Sequence, residues 1–399
     1  MKNFNSVLQN KSKERKGGLR TPLILNVSKD SDRKKLSQLL HKHRIQHVVD
    51  DFENQLEELF QIHNPQLVYS PGFREKFSAY LRQLVGKKPI WQQGRWVFYP
   101  WISTVCHILP EKEFFEVRTA RNKNLITKKE QEKFYNATVG IGGLSVGNSV
   151  ALAIVLQGGA RHIKLADHDR LALSNTNRIR AGVENLGVPK VEMTARQIYA
   201  INPYATIELF PEGLTKENIT RFFKGPSKLD VVIDELDNLA MKYLIRKEAR
   251  KYHLPVVMAA DNGDNSVVDI ERYDLDLKTA FFHGRMGKVS YDMLTKVDKF
   301  NSGRMIANHI GIENVTERTL SSFSEMGKTL SSWPQLGGAA LLNGSVVAYC
   351  VRKIVNGQPL EDNRAFISLD EKMVPDYHSA REVANRKRTA NEFRKILGL

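Results

Sequence analysis

Residues 138–147, TVGIGGLSVG, decide the fold of this chain: an apolar strand runs through a turn of glycines into the helical stretch Ser145–Leu156. Glycines at such a turn let backbone N–H groups come close to phosphate oxygens, and the helix N-terminus adds a favourable dipole. The dinucleotide fingerprint G-x-G-x-x-G has its third glycine where this chain has Ser145. The turn therefore predicts a nucleotide site and fits a dehydrogenase imperfectly. The alternative is a tight strand–helix turn with no ligand.

Strand and helix patterns alternate along the chain around this turn. Between Ala137 and Ala260, short apolar runs such as RHIKLAD and LDVVID are separated by helical stretches such as Lys190–Ile201 and Asn238–Tyr252. This alternation predicts an α/β fold with a doubly wound, mostly parallel, Rossmann-like sheet that is covered on both faces. Right-handed crossovers then bring the carboxyl ends of the strands to one edge, where ligands bind.

The composition excludes several classes of protein. The 399 residues are 41% hydrophobic, and apolar runs such as Ser149–Leu156 are too short to span a bilayer. Two cysteines, Cys106 and Cys350, are too few for a disulfide framework or a four-cysteine zinc site, so we expect no zinc. The basic start of the chain lacks the apolar core of a signal peptide, and we expect a cytoplasmic protein without membrane contact.

The formal net charge is +16 and is unevenly distributed. Residues 1–50 carry twelve Lys and Arg against four Asp and Glu, and the end from His378 onward is basic again. Such a field favours anionic partners, namely nucleotide phosphates, an acidic peptide or nucleic acid, although basic residues near termini are often simply solvated. No zinc-finger, basic-zipper or RNA-recognition signature occurs in the sequence, so nucleic acid is the least favoured of these partners.

Two further segments carry residues suited to ribose and phosphate. Asp167 follows the next strand, where a carboxylate can accept hydrogen bonds from the ribose hydroxyls of either ATP or a dinucleotide. Beyond it, LSNTNRIR (173–180) and GVPK (187–190) contain the cations Arg178 and Lys190. Dehydrogenases need no such cations, whereas phosphoryl or nucleotidyl transfer uses them to neutralise charge on phosphate oxygens. The alternative is that both are surface cations.

The segment VVIDELDN (231–238) ends a further strand with several carboxylates. Asp237 at that edge would face the glycine turn, and Mg²⁺ takes one or two carboxylates together with phosphate oxygens. The sequence therefore predicts a magnesium ligand at Asp237. The alternative is that Asp237 caps the helix Asn238–Tyr252, and both roles can coexist.

In order and spacing, these motifs resemble the ThiF/MoeB/ubiquitin-activating adenylyltransferase family over the stretch Arg118–Asp274. They are Gly-x-Gly-Gly-Leu, Asp-x-Asp, Leu-Ser-Asn-x-Asn-Arg, Gly-x-Pro-Lys and Asp-x-x-Asp-Asn. Members of that family convert a carboxyl group, often a protein or peptide C-terminus, into an acyl-adenylate with ATP and Mg²⁺. The resemblance implies an adenylyltransferase that uses ATP and Mg²⁺ and forms a homodimer.

The resemblance also implies a role for each matching residue. The phosphates would lie at Gly140, Gly142 and Gly143, the ribose at Asp167 and Mg²⁺ at Asp237. The other nucleotide contacts would come from Asn175, Asn177, Arg178, Lys190 and Asn238. Arg121, with Arg118 as second choice, resembles the arginine that crosses the dimer of the family to the partner's ATP. Catalysis would thus rest on Arg178, Lys190, Asp237 and Arg121.

The cysteines depart from the pattern of many family members. The two Cys-x-x-Cys pairs are missing, and no cysteine lies between Cys106 and Cys350. The GLSVG variant of the turn and the segments WVFYPW and RTARN before it resemble a bacterial ThiF-like subgroup without zinc cysteines. Cys350 lies in an apolar helix, and the neighbours Cys106 and His107 would point to opposite faces of a strand. We therefore expect an amine, an amide or a carbon of the substrate to capture the adenylate, and not a thiol.

The sequence divides into four regions. Residues 1–20 are predicted to be a disordered basic tail, 21–116 a helix-rich accessory or recognition domain, 117–275 the ATP-binding adenylylation core, and 276–399 a C-terminal extension with a long apolar helix at Gln335–Val355. The expected substrate is a peptide or small protein, including an acidic one, for example the precursor of a ribosomal-peptide natural product. Two other functions stay open: an NAD(P)- or FAD-dependent oxidoreductase, and a non-catalytic ThiF-like scaffold.

Overall fold

The computed structural model describes residues 6–8, 21–86 and 88–398. The predicted disordered tail at residues 1–20 lies outside the described residues except for 6–8, which are helical. The chain divides into two compact units, the first formed by Met1–Gln131 with Ile198–Ala205 and the second by Glu132–Gln197 with Thr206–Leu399. Each unit has its own sheet and its own apolar core.

The first unit contains a four-stranded sheet, which the expectation of a helix-rich domain does not include. Its strands are β1 (Leu23–Leu25), β2 (His47–Asp50), β3 (Arg95–Tyr99) and β4 (Thr104–Ile108), in the order β1-β3-β4-β2. β3 and β4 form an antiparallel hairpin, and β2 pairs with β4 in parallel. The helices in this part of the chain are α1 (Asp30–His41), α2 (Phe52–His63), α3 (Phe73–Val85), α4 (Glu111–Thr119) and α5 (Lys128–Asn136). The first three lie in the region, residues 21–116, that the sequence predicts to be rich in helices.

A buried histidine joins the sheet and a helix of the first unit. The ring of His107 is stacked between the rings of Phe52, at a centroid distance of 4.0 Å, and Trp96, at 4.3 Å. Its Nδ1 lies 2.9 Å from Asp50 Oδ1, and its Nε2 lies 2.8 Å from the carbonyl oxygen of Gln93. Both ring nitrogens therefore have partners, and His107 serves as a core residue.

The second unit contains a seven-stranded sheet that confirms the predicted fold class. Its strands are β5 (Thr138–Gly142), β6 (His162–Ala166), β7 (Thr206–Phe210), β8 (Val231–Asp234), β9 (Pro255–Asn262), β10 (Asn265–Arg272) and β11 (Arg364–Ile367). The strand order is β11-β10-β9-β8-β5-β6-β7, in which β5 to β9 are parallel and the other two strands are antiparallel. All residues of β5 and β8 are buried, which explains their continuous apolar runs.

The direction of winding reverses between β5 and β8. From β5 the chain moves outward through β6 and β7, and it then returns to the other side of β5 to form β8 and β9. Gly142, the last residue of β5, pairs with Ala166 of β6 and with Asp234 of β8, so three strand ends lie side by side. In open α/β sheets, ligands bind in the crevice outside the carboxyl ends of the strands at such a reversal.

The remaining helices include one long apolar helix. They are α6 (Val146–Leu156), α7 (Lys190–Ile201), α8 (Ile219–Lys224), α9 (Leu239–Tyr252), α10 (Tyr291–Leu294), α11 (Lys299–Ile310), α12 (Glu317–Ser324), α13 (Gly337–Val355), α14 (Leu369–Met373) and α15 (Ala380–Leu397). Among the described residues, α13 is the one helix that could cross a membrane by length and composition, a candidate that the sequence analysis does not consider. Its apolar character is explained by its packing, because α13 lies against α6 and β9.

Gly344 sets the distance between α13 and α6. A Cβ on Gly344 would lie 2.7 Å from the carbonyl oxygen of Ser149, whereas a Cβ on Gly338 of the same helix would meet nothing within 4 Å. We expect Gly344→Ala to lower the free energy of unfolding by about 1 to 3 kcal/mol, because the helices must separate. Gly338→Ala should raise it by up to about 1 kcal/mol through helix propensity. Urea unfolding measures both, and equal effects would contradict this packing.

Candidate active site

The glycine turn after β5 requires glycine at one position above all. Gly143 has a φ of +86°, and a Cβ there would lie 2.2 Å from the carbonyl oxygen of Glu235. The Gly143 N–H donates to the carbonyl oxygen of Ala166 over 2.8 Å. The turn is thereby pressed against the end of β8 on one side and bonded to the end of β6 on the other.

The other glycines of the motif have different surroundings. Gly140 lies inside β5, where a Cβ would meet the side chains of Phe222 and Leu229 at 2.7 Å, so core packing accounts for this glycine. Gly142 is the last strand residue and stands beside the turn. Gly147 lies in the first turn of α6, where a Cβ would come within 2.9 Å of Ile141 Cγ2. Close packing of helix on strand is the task of the third fingerprint glycine, and here Gly147 performs it.

Asp167 holds the loops that follow β5 and β6. Its Oδ2 accepts the Leu144 N–H over 2.7 Å, and its Oδ1 accepts the Asp169 N–H over 2.8 Å. The buried ammonium of Lys190 donates to Asp169 Oδ2 over 2.8 Å and lies 3.9 Å from Asp167 Oδ2. The hydrogen bond from Lys190 lowers the pKa of Asp169. Asp167 and Lys190 are therefore brought together, with the charge of Lys190 balanced by this acidic pair.

Arg178 is held at the N-terminus of α6. Its Nε donates to Ser145 Oγ over 2.8 Å, and its Nη1 donates to Asn177 Oδ1 over 2.9 Å. No described carboxylate lies within 4 Å of this half-buried guanidinium. Burial lowers the pKa of Arg178, while the negative charges of Asp261 and Asp237 act in the opposite direction. Arg178 is thus a cation that faces two carboxylates without pairing with either.

The two asparagines of the 173–180 segment fix its backbone. Asn175 Oδ1 accepts the Ala172 N–H over 3.0 Å, which stabilises the turn that precedes Arg178. Asn177 Nδ2 donates to the carbonyl oxygen of Gln335 over 2.8 Å. Gly337 packs on the same segment, because a Cβ there would lie 2.4 Å from the Asn177 carbonyl oxygen. The segment is therefore bound to the start of α13.

The sequence leaves two roles open at the start of α9, namely helix capping and binding of Mg²⁺, and they concern Asp237 and Asn238. Asn238 is the N-cap of α9, and its Oδ1 accepts the Met241 N–H over 3.0 Å. The alternative that Asp237 caps this helix is therefore wrong. Asp237 is exposed and forms no ion pair with any described residue. An exposed carboxylate without a cation, at the end of a parallel strand, fits the donor chemistry that Mg²⁺ requires.

Asp261, near the end of β9, is a residue that the sequence analysis missed. Its Oδ1 accepts from Asn343 Nδ2 over 2.6 Å, and its Oδ2 accepts from Gln335 Nε2 over 3.0 Å. Burial raises the pKa of Asp261 to about 6, against the effects of these amides and of Arg178. The available signal was its place after the apolar run LPVVMAA, which matches the places of Asp167 and Asp237 after their own strands.

Two neighbouring acids are structural. Asp234 is fully buried and lies 2.6 Å from Arg246 Nη1 and 3.2 Å from Lys242 Nζ. Although burial raises the pKa of Asp234, these two cations lower it below its ordinary value. Burial raises the pKa of Glu235, whose Oε1 accepts the Ala259 N–H over 3.0 Å and so ties β8 to β9.

The predicted arginines Arg118 and Arg121 and the two cysteines lie outside the loops that follow β5, β6 and β8. Arg121 is exposed in the turn Ala120–Asn122 and Arg118 lies in α4, both in the first unit, so their role at a partner's nucleotide stays a prediction. Burial raises the pKa of Cys350 in α13 to about 11 and also raises the pKa of Cys106. Both thiols are therefore poor nucleophiles.

Comparison with known proteins finds a family match in the central part of the chain. A model described as the ThiF family matches residues 119–272. A Mycobacterium tuberculosis protein described as "Uncharacterized protein MT1398" is 34% identical over 77% of this chain and 42% of its own length. The tRNA threonylcarbamoyladenosine dehydratase of Bacillus subtilis is 31% identical over 39% of this chain and 64% of its own length.

A third relative is named as an adenylyltransferase. The sulfur carrier protein adenylyltransferase of Thermus thermophilus is 29% identical over 39% of this chain and 55% of its own length. The chain thus spans between 42% and 64% of the length of these three relatives.

The raised pKa of Asp261 predicts a pH-dependent cost to stability. Because the folded-state pKa is about 6 and the ordinary value is 3.8, the native state binds more protons than the unfolded state between these values. The contribution of Asp261 to stability is therefore lost as pH rises through this window. Relative to the parent, Asp261→Asn should gain about 2 kcal/mol of unfolding free energy between pH 4.5 and pH 7.5.

Denaturant unfolding of parent and variant at the two pH values measures this difference. The exposed Asp292→Asn serves as the matched control, and it should follow the parent at both values. Parallel behaviour of Asp261→Asn and the parent would contradict the raised pKa.

Proposed function

Because the ThiF family model matches residues 119–272, we propose that the chain activates a carboxylate by adenylylation with ATP. The observation that carries this proposal is Arg178: a half-buried guanidinium, fixed to Ser145 at the start of α6, with no described carboxylate within 4 Å. A cation in this position, at the point where the winding of the sheet reverses, is suited to nucleotide phosphates.

In the proposed reaction, an oxygen of the substrate carboxylate attacks the α-phosphorus of ATP, and pyrophosphate leaves. The products are an acyl-adenylate and pyrophosphate. The attacking carboxylate is already ionised at pH 7, so this step needs no general base. Arg178 would stabilise the charge that develops on the phosphate oxygens, and Lys190 would do so if it exchanges Asp169 for the nucleotide.

Asp237 is the residue that we propose to hold Mg²⁺. Its carboxylate is exposed and free of ion pairs to described residues, and Mg²⁺ in proteins takes such a carboxylate together with phosphate oxygens. When bound, the metal supplies positive charge to the phosphates. The other nucleotide contacts are proposed at Asp167 for the ribose, at the turn after β5 for the phosphates, and at Asn175, Asn177 and Asn238 around them.

A second copy of the chain would complete the site. Arg121, or Arg118 beside it, would reach the nucleotide of the partner subunit, which makes a homodimer part of the proposal. Gel filtration with light scattering gives the oligomeric state independently of activity.

The proposed substrate is the carboxylate of a peptide or small protein. The Thermus thermophilus relative is named for a sulfur carrier protein and the Bacillus subtilis relative for a modified tRNA nucleoside, so the family accepts more than one class of substrate. The excess of Lys and Arg over Asp and Glu in residues 1–50 favours an acidic peptide as the recognised partner. With both thiols buried or half-buried, the acyl group would pass to a nucleophile of the substrate or a co-substrate.

Exchange of pyrophosphate into ATP tests the activation step. With Mg²⁺, ATP and a pool of synthetic hexapeptides with free C-termini, the parent chain should incorporate labelled pyrophosphate into ATP. Arg178→Ala and Asp237→Asn should each lower the exchange rate about a hundredfold or more, because each removes charge that acts on the transferring phosphate. Circular dichroism checks that both variants are folded.

The exposed substitutions Arg381→Ala and Asp292→Asn are the matched controls and should exchange at the parent rate. Exchange at near-parent rates in both site variants would refute the site. Binding of NAD⁺ or FAD, seen by absorbance titration, in place of ATP would favour the oxidoreductase alternative.

Charge reversal at Lys34 in α1 and at Lys42, which follows this helix, tests the acidic-partner proposal. The double substitution Lys34→Glu with Lys42→Glu should weaken binding of a fluorescein-labelled hexaglutamate peptide about tenfold at low salt, because two attractive charges become repulsive. Fluorescence anisotropy measures the affinity. Lys278→Glu with Lys372→Glu, both in the second unit, makes the same change in net charge. An equal loss in the two double variants would show only a response to net charge.

A further inference from the structure

Asp261 lies in the crevice without a role in activation of the carboxylate. Each of its two oxygens accepts one amide donor, from Asn343 in α13 and from Gln335 just before it, and each therefore keeps a lone pair. The residue is half-buried, and its charge acts on Arg178. A second carboxylate beside the cation that would hold phosphates weakens nucleotide binding, so its presence calls for another function.

The second half of the proposed reaction supplies a function for such a group. An amine or amide nitrogen that attacks an acyl-adenylate must lose a proton when it becomes an amide or imide nitrogen. The described thiols, Cys106 and Cys350, have raised pKa values and are unsuited to an enzyme-bound thioester. Transfer to nitrogen therefore needs a proton acceptor near the phosphates.

We propose that Asp261 is the general base that accepts the proton of a nitrogen nucleophile, an amine or amide, during capture of the acyl-adenylate. The proposal rests on the proposed adenylylation. The nitrogen forms a bond to the acyl carbon, the bond from that carbon to the adenylate oxygen breaks, AMP leaves with the electron pair, and the nitrogen proton moves to Asp261. Water then takes the proton from Asp261 after the products leave.

The protonation state of Asp261 agrees with this role. A pKa of about 6 leaves the carboxyl ionised at pH 7 and makes it a stronger base than an ordinary aspartate. The charged and titratable groups that face this part of the crevice are Arg178, Glu235 and, through Arg178, Asp237. Arg178 favours the ionised form of Asp261, and burial raises the pKa of Glu235, which favours its uncharged form.

Gln335 and Asn343 would act as positioning residues. They bind one oxygen each and so hold the carboxylate in one orientation at the end of β9. The competing explanation is that Asp261 merely ties the start of α13 to the sheet. Gln335→Ala distinguishes the two explanations, because it removes one hydrogen bond between Asp261 and the start of α13 and leaves the carboxylate of Asp261 in place.

The first measurement uses the protein alone. Carbon-13 NMR of chain labelled at the aspartate carboxyl carbons should show a resonance that titrates near pH 6 and is missing in Asp261→Asn. A resonance for Asp261 that titrates below pH 5 would overturn the proposal.

The second measurement separates the two half-reactions. Activation is followed by pyrophosphate exchange with the hexapeptide pool, and capture by release of AMP in the presence of glycinamide as the amine. Asp261→Asn should lower capture about a hundredfold and remove the acidic limb near pH 6, leaving only the pH dependence of the glycinamide amine itself, while exchange changes by less than about fivefold. Gln335→Ala should lower capture by less than about tenfold and keep the acidic limb.

Rescue by hydroxylamine completes the test. Hydroxylamine attacks an acyl-adenylate without the help of a base, so it should restore turnover of Asp261→Asn to near the parent rate. If exchange proceeds in the parent and capture by glycinamide is equally fast in Asp261→Asn, the role of Asp261 is refuted and adenylylation stands. If the parent shows no exchange with the peptide pool, adenylylation of peptides fails, and the role of Asp261 falls with it.

Discussion

The carboxylate of Asp167 is the contact on which the geometry of the crevice depends. It accepts the N–H of Leu144, directly after the glycine turn, and the N–H of Asp169, and so holds the loops after β5 and β6 together. Hydrogen bonds to a charged acceptor each contribute about 1.5 to 3 kcal/mol. Since Lys190 binds Asp169, the first residue of α7 is held at the same point. Asp167 and Asp169 together thus hold three segments around the reversal of the sheet.

A second set of contacts brings distant parts of the chain to this point. Arg178 binds Ser145, Asn177 binds the backbone of Gln335, and the side chain of Gln335 binds Asp261. The start of α13 is therefore bonded both to the segment that carries Arg178 and to the end of β9. A change in the position of α13 would affect both Arg178 and Asp261, because Gln335 is hydrogen-bonded to Asp261 and to Asn177, the neighbour of Arg178.

The sequence predicts those features that have a local cause. The glycine turn and the alternation of apolar strands with helices depend on neighbouring residues, and the structure confirms both. Strand β2, which is exposed throughout, has no hydrophobic pattern that would reveal it. The environment of Asp261 comes from residues 74 and 82 positions later, and no local pattern encodes such a contact. At Gly140 the motif predicts a phosphate contact, whereas the structure explains this glycine by core packing.

The choice between a nucleoside triphosphate and a dinucleotide rests on charge and not on the fingerprint glycines. Gly147 packs against Ile141 as a third fingerprint glycine would, so Ser145 is no argument against a dinucleotide. Arg178, however, is half-buried without a carboxylate within 4 Å among the described residues, and an anion would relieve the cost of its desolvation. Asp237 presents an exposed carboxylate that has no ion pair with any described residue, and its charge acts on Arg178. A polyphosphate that arrives with a divalent metal supplies both charges, whereas a dinucleotide bound without metal satisfies Arg178 and leaves Asp237 unpaired.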